Sequence, residues 1–489
     1  MNHKTTPLNN VPVLPEAQLA SSPREIQDYV RYLHDANHRL TEEVTDLKAR
    51  LAKDSTNSHK PPSNEGMRKP KSQRTPSGKP PGGQPGHPGS TLMQVADPHD
   101  TQTHAPTHCR LCHAPLKEVV GVCVAKRQVF ESSLPGWQLH VTEHCIEKRI
   151  CPHCGAASRG QFPSHVRAPV QYGANIRSLI AYLQNYQYIP LGRTTEALDH
   201  LFGFHISKGT CAHIAGELFH HLEPFESALK SRLIGARILH ADETGVRCEK
   251  TLQWIHVAST QLLTLYSIHK KRGQEAMDEA GVIPSFTGTL MHDFWRPYLA
   301  YFRMKHGLCN AHLIRELTFV HEERKEDWAK KMKDLLHSVW QKVQVCQAQG
   351  APPLKEDVQA IELEYADIIK EGLKYHNSLT PLPRGKRGKQ KQRDGKNLLD
   401  RLHEMRECVL RFLYDLGVPV TNNQGEQDIR MMKLKQKISG CFRSFAGGQY
   451  FCRIRSYLST ARKQGWAILD ALKTAFKGQP RKDFATCLA

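Results

Sequence analysis

The apolar positions between residues 25 and 51 repeat with alternating steps of four and three. They are Ile26, Val30, Leu33, Leu40, Val44, Leu47 and Leu51, with Asn37 at the one polar position of the series. A narrow apolar stripe of this period, flanked by charge, predicts a parallel two-stranded coiled coil over residues 21–54, with Asn37 fixing its register. The alternative is an amphipathic helix packed against the protein's own core. Residues 1–20 are expected to be disordered.

Short apolar runs in the second half of the chain predict strands. The runs at residues 237–247, Leu252 to Ser259 and Leu262 to Ile268 predict a three-stranded meander. A fourth run, Gly288 to Asp293, ends where a strand gives way to a loop. We therefore expect an α/β domain over residues 236–470. It carries a helical insertion at about residues 319–417 and is followed by a C-terminal tail at residues 471–489.

The pattern over residues 161–235 is helical. The apolar run from Leu191 to Phe202 stops at Gly203, and Ser207 can cap the helix that follows. Helix, glycine-bearing turn and helix together are similar to a DNA-reading helix-turn-helix, although helical hairpins with this spacing are commoner than DNA readers.

The charge balance suits a polyanionic partner. Lys and Arg number 68 against 48 Asp and Glu, a net charge of +20, which favours phosphate contacts, although ribosome-binding and membrane-surface proteins share this balance. Residues 55–95 are rich in Pro, Gly and Lys and predict an extended basic linker that either follows a DNA backbone or is simply solvated. No apolar stretch approaches the ~18 residues of a membrane span, and the N-terminus lacks a signal-peptide core. A cytoplasmic protein is expected.

Two cysteine pairs predict a zinc-binding module over residues 96–160. Their spacing is Cys-x-x-Cys, with ligands Cys109, Cys112, Cys151 and Cys154. Zinc in structural sites takes four such ligands in a tetrahedron, and each pair supplies two on one tight turn. The alternative is two redox or coincidental pairs, and nearby side chains leave the fourth ligand open to substitution, namely His113, His144, Cys145 and His153.

Three acids have settings that suit phosphodiester chemistry. Asp242 and Asp293 are predicted at strand ends, and Glu426 near the start of a helix, so the three can converge across a sheet. Carboxylates are hard ligands for Mg²⁺, and two ions roughly 3.5–4 Å apart can stabilise the attacking and leaving oxygens of an in-line displacement. For Glu426 an alternative exists, because Asn423 and Glu426 also fit a capping box.

The residues that neighbour these acids have simpler explanations. His240, Glu243 and His292 are expected to be supporting or core residues, since adjacent side chains on a strand point to opposite faces. Cys309 and His312 have a metal-like spacing, but a packed cysteine and a helix-facing histidine are the simpler interpretation.

Four motifs resemble the successive signatures of the IS66-family transposases of bacterial insertion sequences. They are His240-Ala-Asp-Glu-Thr244, Asp293 followed by Trp295-Arg-Pro-Tyr298, Cys309-Asn-Ala-His-Leu-Ile-Arg315, and Asn422-Asn-Gln-Gly-Glu-Gln-Asp-Ile-Arg430. The resemblance covers about residues 25–470 and departs at the C-terminus. It implies a multidomain α+β protein with an RNase H-like α/β catalytic core and a catalytic triad at Asp242, Asp293 and Glu426. The coiled coil, zinc module and helical DNA-binding region precede that core.

The resemblance implies a DNA transposase that cleaves strands at the ends of an insertion sequence and transfers them into target DNA. We expect two Mg²⁺ (or Mn²⁺) ions at the triad, a structural Zn²⁺, double-stranded DNA as substrate, a homodimer through the coiled coil, possible accessory proteins of the same element, and association with the nucleoid. Phosphate contacts are expected from Arg430, Lys433, Lys437 and Arg443, for which a solvated cationic face is the alternative. The other function classes are a non-cleaving DNA-binding regulator and a nuclease that does not join strands.

Overall fold

A computed structural model describes residues 22–53, 57, 148–150, 157–159, 171–203, 205–382 and 391–485. The predicted zinc ligands Cys109, Cys112, Cys151 and Cys154 lie outside these residues, as do residues 1–20 and nearly all of the predicted linker. Within the described part of the chain, no helix is long and apolar enough to cross a membrane.

The described strands form two sheets. A short antiparallel pair consists of β1 (Lys148–Ile150) and β2 (Ala157–Arg159), which flank the second cysteine pair in sequence. The larger sheet consists of β3 (Ile238–Cys248), β4 (Thr251–Ser259), β5 (Thr264–His269), β6 (Thr289–His292) and β7 (Lys305–Leu308). Its order is β5-β4-β3-β6-β7.

The larger sheet is mixed. Strands β3, β4 and β5 pair antiparallel, which confirms the predicted meander, and β6 and β7 continue the sheet parallel to β3. Gly307 of β7 lies so close to β6 that a Cβ at this position would overlap the sulfur of Met291. A side chain larger than hydrogen would force the Met291 side chain to move.

Most of the described chain outside the sheets is helical. The helices are α1 (Arg24–Leu51), α2 (Ala174–Ala181), α3 (Leu191–Phe202), α4 (Lys208–His221), α5 (Glu223–Ile234), α6 (Gln274–Ala280), α7 (Asn310–Arg324), α8 (Asp327–Gln349), α9 (Lys355–Ser378), α10 (Asp394–Glu404), α11 (Arg406–Val409), α12 (Arg411–Tyr414), α13 (Asn423–Ser439), α14 (Phe445–Lys463) and α15 (Ile468–Phe476). One π-helical turn, Tyr182–Tyr186, extends α2, and 3₁₀ turns lie at Ile283–Ser285 and Arg296–Ala300.

The chain divides into two compact units. One comprises Met1–Ser72, Ala168–Thr195 and Ile206–Ala489, and the other Gln73–Arg167 and Glu196–His205. The predicted boundary between a helical DNA-binding region and the catalytic domain therefore does not separate compact units. The physical reason is that α4 packs against α14, where the ring centres of Phe219 and Tyr450 lie 4.9 Å apart and Arg453 donates to the Phe219 carbonyl oxygen at 3.0 Å.

The described residues of the larger unit include two hydrophobic clusters. One joins the sheet to α13 and α14 through Val246, Ile255, Tyr266, Met432 and Phe451 among others. The other lies within the helices α7 to α12, which form the predicted insertion between β7 and α13; its largest buried side chains include Trp328, Tyr365 and Phe412. The insertion therefore has its own core and begins earlier than predicted, at Asn310.

The predicted C-terminal tail is wrong in its first residues. The boundary at residue 471 falls inside α15, whose Ala471, Leu472, Ala475 and Phe476 are buried. This helix packs on α2, with the Arg177 guanidinium 5.0 Å from the Phe476 ring centre. The amphipathic period of α15 matches a packed helix rather than a tail.

Helix α1 confirms the predicted helix and leaves its apolar stripe exposed. Ile26, Leu33, Leu40 and Leu47 are 46–61 % exposed, so the stripe does not pack on the described core of its own chain. The residue that does enter that core is Ala49, off the stripe, which joins the hydrophobic cluster of the insertion. Ion pairs from Arg324 to Asp46 (2.6 Å) and to Asp394 (2.9 Å) support the same contact.

Candidate active site

Strand pairing brings two of the predicted acids side by side. The parallel ladder between β3 and β6 ends at the pair His240 and Met291. Asp242 and Asp293 each lie two residues beyond that pair, so the same register sets them next to each other at one end of the ladder. Asp293 directly follows β6 as predicted, but Asp242 lies within β3 rather than at its end.

The two aspartates receive backbone hydrogen bonds. The N–H of Glu243 donates to Asp242 Oδ1 at 2.8 Å, and the N–H of Trp295 donates to Asp293 Oδ1 at 2.9 Å. Each bond fixes one carboxylate oxygen and leaves the other to face its surroundings. This arrangement orients both carboxylates before any ligand binds.

Asp242 lies in a negative environment. Burial raises its pKa well above the ordinary value for an aspartate, and the charge of Glu243 raises it further. The charges of Asp293 and Glu426 act in the same direction. Asp293 and Glu426 are therefore both near enough to act on the charge of Asp242, and a bound cation would relieve this repulsion.

Glu243 is buried and its carboxylate is held by Arg272 and Tyr298. Its side chain is 2 % exposed, Arg272 Nε and Nη2 donate to its Oε1 at 3.0 and 2.6 Å, and the Tyr298 hydroxyl donates to its Oε2 at 2.6 Å. The Arg272 guanidinium lies between two indole rings, 4.9 Å from Trp254 and 4.3 Å from Trp295. Both oxygens of Glu243 are thus held by other side chains, as expected for a supporting residue.

Glu426 lies on the first turn of α13, and its carboxylate contacts side chains rather than closing a capping box. Oε1 lies 3.4 Å from His312 Nε2 and 3.8 Å from Cys309 Sγ, and Oε2 lies 3.2 Å from Arg430. Burial acts to raise the pKa of Glu426, but the His312 hydrogen bond and the charges of Arg315 and Arg430 outweigh it and lower the pKa. The predicted Asn423–Glu426 capping box is wrong.

Asn422 makes the bonds that fix the start of α13 to β3. It is the N-cap residue, but its side chain is directed to the sheet: Nδ2 donates to the Ala241 carbonyl oxygen at 2.8 Å, and Oδ1 lies 2.8 Å from His240 Nδ1. Its backbone N–H donates to Cys309 Sγ at 3.2 Å. Asn422 therefore joins β3, α7 and α13 next to Asp242.

The buried histidines are part of the support. His240 is 6 % exposed and bonded to Asn422, and burial lowers its pKa. His292 is fully buried with Nε2 2.9 Å from His306 Nδ1; burial and the His306 charge lower the pKa of His292 to about 3. Both are uncharged at neutral pH, as expected for supporting residues.

The four predicted phosphate-contacting residues are exposed on one stretch of chain. Arg430, Lys433 and Lys437 are exposed on α13, and Arg443 is exposed just after it. Arg430 also pairs with Glu426, and Lys433 Nζ lies 3.3 Å from the Gly245 carbonyl oxygen of β3. Lys435 differs, because its Nζ lies 4.3 Å above the Phe442 ring and burial lowers its pKa.

Sequence reasoning missed several partners of the acids. Glu243 is held by Arg272 and Tyr298. Asn422 bonds to His240 and to the Ala241 carbonyl oxygen. Glu426 contacts Cys309 and His312. Tyr298, Asn422, Cys309 and His312 each lie within the four motifs, so membership of a motif was the available signal. Arg272 lies outside them.

Comparison with known protein families matches residues 169–450 to the Transposase IS66 family. Residues 12–93 match a family of unknown function, DUF6444. A search of curated proteins gives no match. The first match covers more than half of the chain and includes all three acids, the insertion and the start of α13. The chain therefore belongs to the IS66 family of transposases.

Proposed function

We propose that the protein cleaves DNA strands at the ends of its insertion sequence and transfers them into target DNA, with Asp242, Asp293 and Glu426 as the catalytic acids. Membership of the family makes it a DNA-processing enzyme. The observation that carries the finer proposal is that the strand register places Asp293 beside Asp242, and that Asp293 and Glu426 are both near enough for their charges to raise the pKa of Asp242. Without a cation, such an arrangement is electrostatically unfavourable.

The order of the larger sheet supports an RNase H-like core. An antiparallel meander, followed by two strands parallel to its first strand, is the arrangement expected from the family resemblance. The insertion of α7 to α12 lies between the second and third acids in sequence. The aspartates therefore come from the sheet, and Glu426 comes from the helix that follows the insertion.

The donor set fits Mg²⁺ or Mn²⁺. Asp242 and Asp293 offer hard carboxylate oxygens, with Glu426 completing the set. Two bound ions would supply Lewis-acid stabilisation of the attacking and leaving oxygens of the phosphodiester. The chain's own residues orient the acids: backbone N–H groups hold the aspartates, and Arg272 and Tyr298 hold the carboxylate of Glu243.

The exposed stripe of α1 supports homodimerisation. A row of leucines at every seventh position, each about half exposed, leaves apolar surface in water in a monomer and buries it in a two-stranded coiled coil. The partner is a second copy of this chain. Because Ala49 and Asp46 fix the end of α1 to the insertion, a dimer through α1 would also set the spacing of two active sites.

The first test is Glu426→Gln in full-length protein, assayed on DNA that carries the ends of the insertion sequence together with a supplied target duplex. Gln can still accept bonds from His312 and Arg430 but carries no charge, so strand cleavage should fall by about 10²–10³-fold or more. The free energy of unfolding should change by less than about 1 kcal/mol, because Gln retains the size and an acceptor oxygen of Glu426, and its ion pair with Arg430 is exposed on the Arg430 side.

Gln427→Ala, at the exposed neighbouring position, should retain full activity. Unchanged cleavage by Glu426→Gln would remove Glu426 from the catalytic set. Specific DNA binding by the wild type without Mg²⁺-dependent nicking would favour a regulator, and nicking without joining would favour a nuclease.

The phosphate contacts predict a change in salt dependence. Lys433→Gln, Lys437→Gln and Arg443→Gln should each lower the slope of log K against log[salt] by about 0.9 for duplex DNA, because each contact releases counterions. Arg430 is left intact since it also pairs with Glu426. Lys370→Gln, exposed on α9, is the control, and an equal slope change there would assign the effect to net charge alone.

A further inference from the structure

Three side chains of metal-binding type meet beside the proposed active site. Cys309 follows β7 directly and begins α7, His312 lies on the first turn of α7, and Glu426 lies on the first turn of α13. Their ligand atoms all lie within 4.8 Å of one another. Within the described part of the chain, no other group of three or more His, Cys, Asp or Glu side chains brings its ligand atoms this close together.

The distances match those of a tetrahedral site. Zinc bonds of about 2.3 Å to sulfur and about 2.0–2.2 Å to nitrogen and oxygen place the ligand atoms about 3.4 Å (nitrogen to oxygen) and about 3.6 Å (sulfur to oxygen) apart. Glu426 Oε1 lies 3.4 Å from His312 Nε2 and 3.8 Å from Cys309 Sγ. These two separations are close to those that one small ion requires, and all three ligand atoms lie within 4.8 Å of one another.

The surroundings of the sulfur suit a thiolate that is bound to a cation. The backbone N–H of Asn422 donates to Cys309 Sγ at 3.2 Å, and the N–H groups of Ala311 and His312 also favour the charged form. A cation between the sulfur and the carboxylate of Glu426 would hold the sulfur as a thiolate. The three N–H groups would then stabilise the charge of that thiolate.

We propose that Cys309, His312 and Glu426 Oε1 bind one divalent transition-metal ion, for which zinc is the best match, at a site that shares Glu426 with the proposed Mg²⁺ set. Sulfur and imidazole donors select zinc over Mg²⁺, which prefers oxygen. Three protein ligands leave one position of a tetrahedron open. The ion would fix the carboxylate of Glu426, so this site would position the third acid.

The test is the zinc content of full-length protein purified with zinc, measured by mass spectrometry of the metal. Cys309→Ser and His312→Gln should each contain about one zinc ion per chain less than the wild type. Cys441→Ser, at an exposed cysteine, should match the wild type. Because every variant retains the four cysteines of the predicted zinc module, the difference between proteins isolates the new site.

Equal zinc content in all four proteins would overturn the proposal and leave a hydrogen-bonded cluster in its place. Cys309 is fully buried, so if its variant fails to fold, His312→Gln, with a side chain 17 % exposed in the wild type, decides alone. The measurement uses no DNA. Loss of one ion in the variants, together with a wild type that does not cleave, would therefore contradict only the proposed reaction.

Discussion

Asp242→Asn should abolish strand cleavage and, without added Mg²⁺ or Mn²⁺, raise the melting temperature of the protein. Asn retains the Oδ1 acceptor for the Glu243 N–H but removes a charge that burial and three neighbouring acids disfavour. Cleavage should fall by at least about 10²–10³-fold, the scale for losing one preorganised electrostatic group. The same charge is thus predicted to destabilise the fold and to be required for catalysis.

The gain in stability should depend on pH in a defined direction. Because the folded-state pKa of Asp242 is raised, ionisation is easier in the unfolded chain, and the charge costs stability at neutral pH. The cost is absent below pH about 4, where the carboxyl is protonated in both states, and grows as the pH rises towards the folded-state pKa. The melting temperatures of variant and wild type should converge at acidic pH.

Thermal unfolding across this pH range, with and without Mg²⁺, measures both effects. Added Mg²⁺ should stabilise the wild type more than Asp242→Asn, since a ligand stabilises the state that binds it. Asp367→Asn, exposed on α9, is the matched control and should show neither effect. A lower melting temperature for Asp242→Asn at neutral pH without Mg²⁺ would contradict the raised pKa.

Asn422→Ala should reduce both stability and activity. The change leaves the Ala241 carbonyl oxygen and His240 Nδ1 without their partner in a buried setting. Each unsatisfied buried group costs about 1–3 kcal/mol, so the free energy of unfolding should fall by roughly 2–5 kcal/mol. Cleavage should fall by about 10²-fold in the protein that remains folded, because small misplacements of catalytic groups have effects of this size.

The neighbouring Asn423→Ala provides the control, since Asn423 is exposed on the first turn of α13. Denaturant unfolding and single-turnover cleavage should separate the two variants clearly. Equal effects of the two substitutions would show that Asn422 contributes only to the start of the helix, as Asn423 does, and not through its bonds to β3. A large loss of stability in Asn422→Ala with unchanged cleavage would show that Asn422 does not position the site.

The sequence predicted strands at β3 to β6 but not β7, and it placed Asp242 at the end of β3 rather than within it. The apolar residues Ile238, Leu239 and Ala241 identify the first half of β3, whereas Glu243, Thr244 and Gly245 interrupt the pattern. The strand continues because β4 pairs with it there, with Gly245 opposite Trp254. Pairing with a partner strand thus outweighs local propensity, and it places Asp242 inside the strand.

The start of α13 was predicted to within one residue, and its chemistry was not. Two adjacent asparagines fit an N-cap equally well in sequence, and only the tertiary bonds of Asn422 to β3 distinguish them. The role of His312 was hidden for a similar reason, since its contact with Glu426 joins α7 to α13 across the whole insertion. Local patterns carry no information on such pairings.

The bond between His240 and Asn422 joins residues 182 positions apart. A chain made on the ribosome emerges from its N-terminus at about 5–20 residues per second, so β3 is available well before α13 exists. The proposed site therefore completes only when the insertion and α13 have been synthesised. A nascent or prematurely terminated chain that ends within the insertion would carry both aspartates and yet be unable to cut DNA.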